Sequence, residues 1–358
     1  VVKALTSARA GGPSDGRNGA RRAATIYEVA ERAGVSIATV SRVQRNPRLV
    51  APATRERVLS AVADLDYRPS RLGRSLARGR HDAIGIVFPD LSGPYYSAVI
   101  LGYEEASAAE GSSVLILATH RRPDATMQVL DLADRVDGIV LMGRTVDDEV
   151  VAELERRRLP IVLLARAASG RADSVRAENA DSARRLTAHV LEHGHRRIAF
   201  LGDPDASPDA AERWAGFVDA HEAVGRSPWR GAFACGYRES DGRSAAAEVL
   251  AEAELPTALI CANDEIATGA LEAARRAGLA VPGDLAMTGW DDIPVARHLS
   301  PPLTTVRQPM VELGRRSAQL LHDRITSGRT DPRHEVLPAE VVVRASCGCA
   351  HEQGGNDR

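Results

Sequence analysis

A short helix that opens on small apolar and hydroxyl side chains and carries an arginine about a turn and a half later has the chemistry to read DNA. Residues Ile37 to Arg42, in the run VSIATVSR, have that composition. Ile37 and Ala38 suit contact with thymine methyls. Arg42 suits a bidentate pair with guanine, worth ~1–3 kcal/mol of discrimination. Thr39 and Ser41 suit phosphate contacts, which position without reading. A second set stands just after apolar runs: Asp90 after Ala83–Phe88, Asn263 after Ala258–Cys261, and Asp291 with Asp292 after Leu285–Trp290. Ligands of open α/β sheets bind beyond the carboxyl ends of strands, where such groups can hold hydroxyls. The same residues also suit plainer roles: Asn263 as a helix cap, Asp291 and Asp292 as a cap or loop charges.

The elements that must hold Arg42 are legible. Thr25 can cap a helix over Ile26–Ala33, with Glu28 completing a capping box, and Ile26, Val29, Ala30 and Ala33 form its apolar face. Gly34 can end that helix at positive φ. Ser36 can cap a second helix whose inner face carries Val40 and Val43. A small Ala30, a turn Gly34 and an apolar Val40 have the spacing of a helix-turn-helix. A third helix is expected from Pro52, with Val58, Ala61, Val62 and Leu65 facing inward. The run Tyr67-Arg-Pro-Ser-Arg-Leu-Gly-Arg-Ser-Leu-Ala-Arg78 then holds about eight residues of helix, too short to be stable alone. Leu72 and Leu76 share a face beside Arg71, Arg74 and Arg78, as a minor-groove wedge requires.

From Ala83 the texture changes. Apolar runs recur at Ala83–Phe88, Val114–Ala118, Gly138–Met142, Ile161–Ala165, Ile198–Leu201, Ala258–Cys261 and Leu285–Trp290. Amphipathic stretches such as Tyr95–Glu110, Asp181–His193, Ala210–Val224 and Glu265–Ala277 lie between most of them. This alternation indicates buried parallel strands in βαβ units. Two Rossmann-like lobes are the expected α/β architecture, with a (β/α)8 barrel as the alternative.

Composition narrows function. Residues 1–80 carry 16 lysines and arginines against 6 acidic residues, a net of +10, so the rest carries −12 of the chain's total of −2. A basic first fifth on an acidic body points to a polyanion at one end only. Lys3 is the sole lysine, which excludes a Walker phosphate loop and any Schiff-base lysine in the body. The sequence has no Gly-x-Gly-x-x-Gly, His-Glu-x-x-His or Gly-x-Ser-x-Gly, so no enzyme and no cofactor are expected. Among the four cysteines, Cys347 and Cys349 form a Cys-x-Cys near the C-terminus. Two thiols do not complete a zinc site and no His-x-His or second cysteine pair adjoins them, so no metal is expected and residues 347–358 read as a flexible tail. No run approaches ~18 apolar residues, and residues 1–24 read as a basic arm without a secretory core. A cytoplasmic protein that makes no membrane contact is expected.

TIYEVAERAGVSIATVSR, VAPATRERVLSAVADLDYRPSRLGRSLA, ANDEIATGAL, TGWDD and PPLTTVRQP together resemble the lac-repressor (LacI/GalR) family of bacterial regulators, from Thr25 to about Arg344. The resemblance implies a helix-turn-helix headpiece over 25–68, a hinge helix over 69–80, and a periplasmic-binding-protein-like body over 82–346 that binds a small effector, dimerises, and has lobes of about 82–178 with 310–337 and 179–307 with the last strand. It implies a homodimer on double-stranded operator DNA. The implied DNA contacts are Thr25, Ser36, Ile37, Ala38, Thr39, Ser41, Arg42 and Arg45 in the headpiece, with Arg74 and the wedge Leu76 in the hinge. The implied effector site holds Asp90, Tyr95, Arg213, Asn263, Asp291 and Gln308. Trp290 beside it is suited to stacking on a sugar, and Arg144 or Arg166 to drawing a phosphorylated one.

The sequence departs from the family's pattern in places. Ala51 replaces a capping serine, Arg45 a turn asparagine, Gly73 a hinge alanine, Gly93 an asparagine before Pro94, and Ala165-Arg166 a ligand-binding aspartate. The expected function is sequence-specific transcription regulation, with repression the family default, switched by a small polar ligand, a sugar first, with a different polyol or a nucleoside as alternatives. A periplasmic sugar-binding protein would share the lobes but not the headpiece. A nonspecific architectural DNA-binder would not need the sensor.

Overall fold

Thr25 and Glu28 exchange hydrogen bonds at the start of the first helix: the Glu28 N–H donates to Thr25 Oγ1 at 3.4 Å and the Thr25 N–H to Glu28 Oε2 at 2.6 Å. In the computed structural model, which describes residues 24–67, 80–120 and 122–349, this box opens α1 (Ile26–Ala33), and Gly34 at φ 64° closes it. Ser36 caps α2 (Ile37–Arg45) through the N–H of Thr39. A single turn of 3-10 helix leads to α3 (Pro52–Asp64). Val29, Ala30, Ala33, Val40, Val43, Val58 and Ala61 form the buried core of this unit. Ala51 precedes α3 with no side-chain cap, as its missing hydroxyl dictates.

Residues 80 onward form a second compact unit. Its chain begins β1 (Ala83–Phe88), α4 (Pro94–Ala109), β2 (Ser113–Ala118), α5 (Ala125–Ala133), β3 (Ile139–Met142), α6 (Asp148–Arg156), β4 (Ile161–Leu164) and β5 (Asp173–Ala177). It continues with α7 (Ala180–Glu192), β6 (Ile198–Leu201), α8 (Pro208–Glu222), α9 (Glu239–Val249), β7 (Ala258–Cys261), α10 (Asp264–Arg276), β8 (Ala286–Thr288) and β9 (Thr305–Arg307). It ends with α11 (Met310–Ser327), β10 (His334–Leu337) and β11 (Glu340–Val342).

These strands form two separate sheets with a small antiparallel addition, so the barrel alternative is wrong. The first sheet has the order β10-β5-β4-β3-β1-β2, with every pairing parallel. The central runs β1, β3 and β4 are wholly buried, because helices cover both faces of the sheet. Val99, Tyr103 and Leu313 pack with one face, and Val129, Val151 and Leu154 with the other. On the first face α4 and α11 nearly touch: a Cβ on Gly102 would lie 1.9 Å from the Val311 carbonyl oxygen, and one on Gly314 1.9 Å from that of Val99. The second sheet has the order β6-β7-β8, and β9 pairs with β11 beside it.

The chain therefore crosses between lobes three times: after β5, after β9 and after β10. Asp292 binds two of the returning segments, accepting from Arg307 Nε at 2.8 Å and from Arg344 at 2.6 Å. Burial opposes its ionisation, yet the two guanidiniums lower its pKa.

The C-terminal reading needs a correction. A 3-10 turn spans Ala345–Cys347, Ser346 donates to the Met287 carbonyl at 2.6 Å and accepts from Thr304 N–H at 2.8 Å, and Cys347 is fully buried. The start of the expected flexible tail is thus built into the second lobe, because a serine hydroxyl and an apolar thiol pack there.

Candidate functional site

Between the two lobes lies a cavity of about 440 Å3, within the range of small-molecule sites. The carboxyl ends of the strands open onto it. Pro89 and Asp90 follow β1, Thr119 and His120 follow β2, Gly143, Arg144 and Thr145 follow β3, and Asn263 follows β7. Tyr95 and Tyr96 enter from the start of α4, and Asp209 and Arg213 from the first turns of α8. Gln308 comes from the crossover after β9.

Arg213 is the buried cation of the site. Its Nε donates to Asn179 Oδ1 at 2.9 Å and its Nη1 to the Ala262 carbonyl at 2.6 Å. Its guanidinium carbon lies 4.5 Å from the centre of the Trp290 ring. Trp290 itself is 2% exposed and lies outside the lining. It supports Arg213 from behind, so the expectation that it stacks on a ligand is corrected.

Asp291 sits beside Arg213 at φ 110°, followed by Asp292 at φ 55°. Two consecutive non-glycine residues at positive φ cost of order 1–3 kcal/mol each, and the turn they make presents the Asp291 carboxyl to the cavity. Gln308 Nε2 donates to Asp291 Oδ1 at 2.5 Å. Burial pushes the Asp291 pKa up to about 7, against the opposing pull of Arg213 and Gln308. Asp209 is also raised by burial, with Arg213 again opposing.

Asn263 borders the cavity, but its amide already has partners. Its oxygen caps α10 by accepting from the Ile266 N–H at 2.8 Å, and its nitrogen donates to the Tyr237 carbonyl at 2.9 Å. Asp264 lies deeper, accepting from Thr305 Oγ1 at 2.6 Å and the Ile293 N–H at 2.9 Å, and burial raises its pKa strongly.

Polar contacts join the lobes, among them Arg176 with Glu212 at 2.8 Å and two at the cleft itself. Asp90 accepts from the Leu91 N–H at 2.7 Å, the Ser92 N–H at 3.2 Å and, from the other lobe, Arg238 at 2.6 Å. The Arg238 hydrogen bond is the main cause that holds the Asp90 carboxyl well below the usual range. Arg144 Nη1 donates to the Asp205 carbonyl at 3.3 Å. Arg166 does not line the cavity. It binds the Gly143 and Val146 carbonyls and Asp148.

Four lining atoms are buried without a hydrogen-bond partner among the described residues: Tyr95 Oη, Thr145 Oγ1, Tyr237 Oη and Gln308 Oε1. Buried polar groups are normally satisfied, so this cluster marks where a polar ligand would gain most. Sequence reasoning missed Asn179, Asp209, Tyr237 and Arg238. Asn179 and Arg238 immediately precede helices and Asp209 lies in a first turn, positions that carry no hydrophobic period to give them away.

In the headpiece, α2 exposes Ile37, Ala38 and Arg42 and half-buries Thr39 and Ser41. The Thr39 hydroxyl lies 3.0 Å from Ser36 Oγ. Arg42 makes no ion pair among the described residues. The side chain of Arg45, together with Arg74 and Leu76, lies outside the described residues.

Comparison with known proteins agrees with both halves. Residues 25–70 match the model for bacterial regulatory proteins of the lacI family, and residues 187–347 match that of a periplasmic binding protein-like domain. The chain is 33% identical to the HTH-type transcriptional repressor CytR of Escherichia coli (strain K12), over 90% of this chain and 96% of the relative. It is 34% identical to the repressor PurR of Haemophilus influenzae (strain PittEE), over 90% and 98%. Among solved structures, the lac repressor dimer bound to operator and the anti-inducer ONPF superimposes with a TM-score of 0.80 at 28% identity, covering 91% of this chain and 99% of that one. The complex of the transcriptional regulator CelR with cellobiose gives 0.69 at 32%, covering 90% and 99%. The chain belongs to the lacI family of bacterial regulatory proteins: it is a DNA-binding transcription regulator, not an enzyme.

Proposed function

We propose that the cleft binds a neutral sugar or related polyol, and that this ligand sets the lobe arrangement that governs operator binding. The observation that carries the reading is the unpartnered set Tyr95 Oη, Thr145 Oγ1, Tyr237 Oη and Gln308 Oε1 around Asp291 and Arg213. An acid that is half ionised near neutrality both donates to and accepts from hydroxyls. The lining holds five carboxyls, on Asp90, Asp209, Asp241, Glu265 and Asp291, against three guanidiniums on Arg144, Arg213 and Arg238. That balance disfavours a phosphorylated ligand, and Arg166 faces elsewhere. A regulator with bound cellobiose and another from Enterococcus faecium with bound ribose share the fold, which supports a sugar.

In this reading ligand contacts from both lobes add to the Asp90–Arg238 and Arg144–Asp205 contacts and favour the closed cleft. A coupling of ~1–3 kcal/mol between cleft and hinge gives roughly 5–150-fold regulation of DNA binding. The protein acts as a cytoplasmic homodimer and represses, with Arg42 and the start of α2 on base edges and Thr25, Ser36, Thr39, Ser41 and Arg45 near phosphates. The exposed Leu101, Ile116 and Met127, on α4, the sheet-edge strand β2 and α5, are apolar surface that a second copy would cover. No helix among the described residues is long and apolar enough to cross a membrane.

The test is a thermal-shift screen of sugars, polyols and nucleosides on the full chain, since binding raises apparent stability by mass action. A neutral sugar should raise Tm in the wild type and not in Arg213→Met. Stabilisation by nucleosides alone would replace the sugar reading.

A further inference from the structure

His189 and His193 sit one helical turn apart at the C-terminal end of α7, and the buried turn that follows Arg344 brings Cys347 and Cys349 onto them. Cys349 Sγ lies 3.0 Å from His193 Nε2 and 3.5 Å from His189 Nε2. Cys347 Sγ lies 3.3 Å from His189 Nε2. One donor atom from each of His189, His193 and Cys349 falls within 4.8 Å of the others. From these positions we infer that His189, His193, Cys347 and Cys349 form a zinc site that staples the C-terminal segment to α7.

The distances agree with that geometry. Zinc takes imidazole nitrogen at about 2.0–2.1 Å and thiolate sulfur at about 2.3 Å, in a tetrahedron. Two such ligands therefore stand about 3.6 Å apart across one ion, and three of the four nitrogen–sulfur pairs, all but His193–Cys347, lie at 3.0–3.5 Å. The ring contact between His189 and His193, with centroids 4.5 Å apart, places both imidazoles on one side of the helix. His193 Nδ1 lies 2.8 Å from the His189 carbonyl oxygen. A carbonyl only accepts, so Nδ1 carries the proton and Nε2 presents its lone pair to the sulfurs. Fixing the tautomer through the far nitrogen is the usual support of a metal-bound imidazole. The Thr304 hydroxyl, 3.1 Å from Cys347 Sγ, supports the sulfur in the same way.

Two borderline nitrogens with two soft sulfurs select zinc over oxygen-seeking magnesium or calcium. His189, His193 and Cys349 already lie together and Cys347 approaches from the His189 side; with all four bound no coordination position stays open, which makes the proposed site structural. Sequence reading set the Cys-x-Cys aside because no partner pair adjoins it. The histidines lie 158 and 156 positions away from the cysteines they approach and meet them only in the folded lobe.

The test uses the reduced full-length chain, stripped with a chelator and titrated with Zn2+ against a chromophoric competitor. One equivalent should bind, and Tm should rise with it. Cys349→Ser and His193→Ala, both at accessible positions, should each weaken zinc at least tenfold with an unchanged far-ultraviolet circular dichroism spectrum. Co2+ in place of zinc should give thiolate charge-transfer bands and the intense visible bands of a tetrahedral ion. Zinc uptake equal to that of the Cys349→Ser/His193→Ala double variant, or a weak octahedral cobalt spectrum, would overturn the assignment.

Discussion

Asp90 and Arg238 lie 148 positions apart in the chain and 2.6 Å apart in space, one on each lip of the cleft. The pair is a direct polar link between the lobes at the cleft, and its two side chains remain 27% and 63% exposed. An exposed pair of this kind is a weak latch that salt loosens.

Replacing Arg238 by glutamine should therefore lower the affinity for the sugar found by screening only about two- to fivefold. Raising ionic strength should weaken wild-type binding by a similar factor and leave the variant almost unchanged. Isothermal calorimetry at two salt concentrations reads both effects. A variant as salt-sensitive as the wild type would remove this pair from closure.

The Asp291 carboxyl supplies a pH test. Its folded pKa of about 7 lies above the ordinary 3.8, so the folded chain holds a proton there that the unfolded chain releases between those values. Stability from this group is present below about pH 4 and declines as pH rises to about 7. Asp291→Asn removes the titration and keeps a hydrogen-bonding amide. It should flatten that part of the stability profile and make the protein more stable at neutral pH, by on the order of a few kcal/mol. Denaturant melts across the pH range decide it, and a wild-type slope retained in the variant would contradict the assignment.

Arg42→Ala bears on base reading. Selection from random duplexes should return a consensus with one guanine position relaxed per half-site, corresponding to ~1–3 kcal/mol of lost discrimination. Equal weakening on every duplex would make Arg42 a phosphate contact.

Ala51 leaves α3 uncapped, at φ −52° and ψ 137°, with Pro52 next. A serine there could accept from the helix's first N–H groups. Ala51→Ser should stabilise the headpiece by about 0.5–1 kcal/mol, read as slower hydrogen exchange at Val58 and Ala61. Unchanged exchange would mean that water already satisfies those groups.

Much of this architecture was legible because burial on both faces leaves a continuous apolar run. Ala83–Phe88, Ile198–Leu201 and Ala258–Cys261 were read from such runs and are strands with those bounds. β5, with the sequence DSVRA, was not read. Its Asp173 is buried by ion pairs with Arg324 and Arg329 from α11 and the segment after it, a partnership no local pattern reveals. The short β10 and β11 were equally silent, being half-exposed edge pieces. In the cleft, residues at strand ends stood out by position, and family resemblance added Tyr95, Arg213 and Gln308. Trp290 was misread because an aromatic beside a polar cluster looks the same in sequence whether it faces the ligand or backs the arginine.

The three crossings between lobes have a practical consequence. β10 completes the first sheet from the far end of the chain, and β11 pairs in the second lobe immediately afterwards. No single cut yields an intact half, so neither lobe can be expressed alone or exchanged with a relative as one continuous block. A premature stop between α11 and β10 would strip an edge from both halves at once.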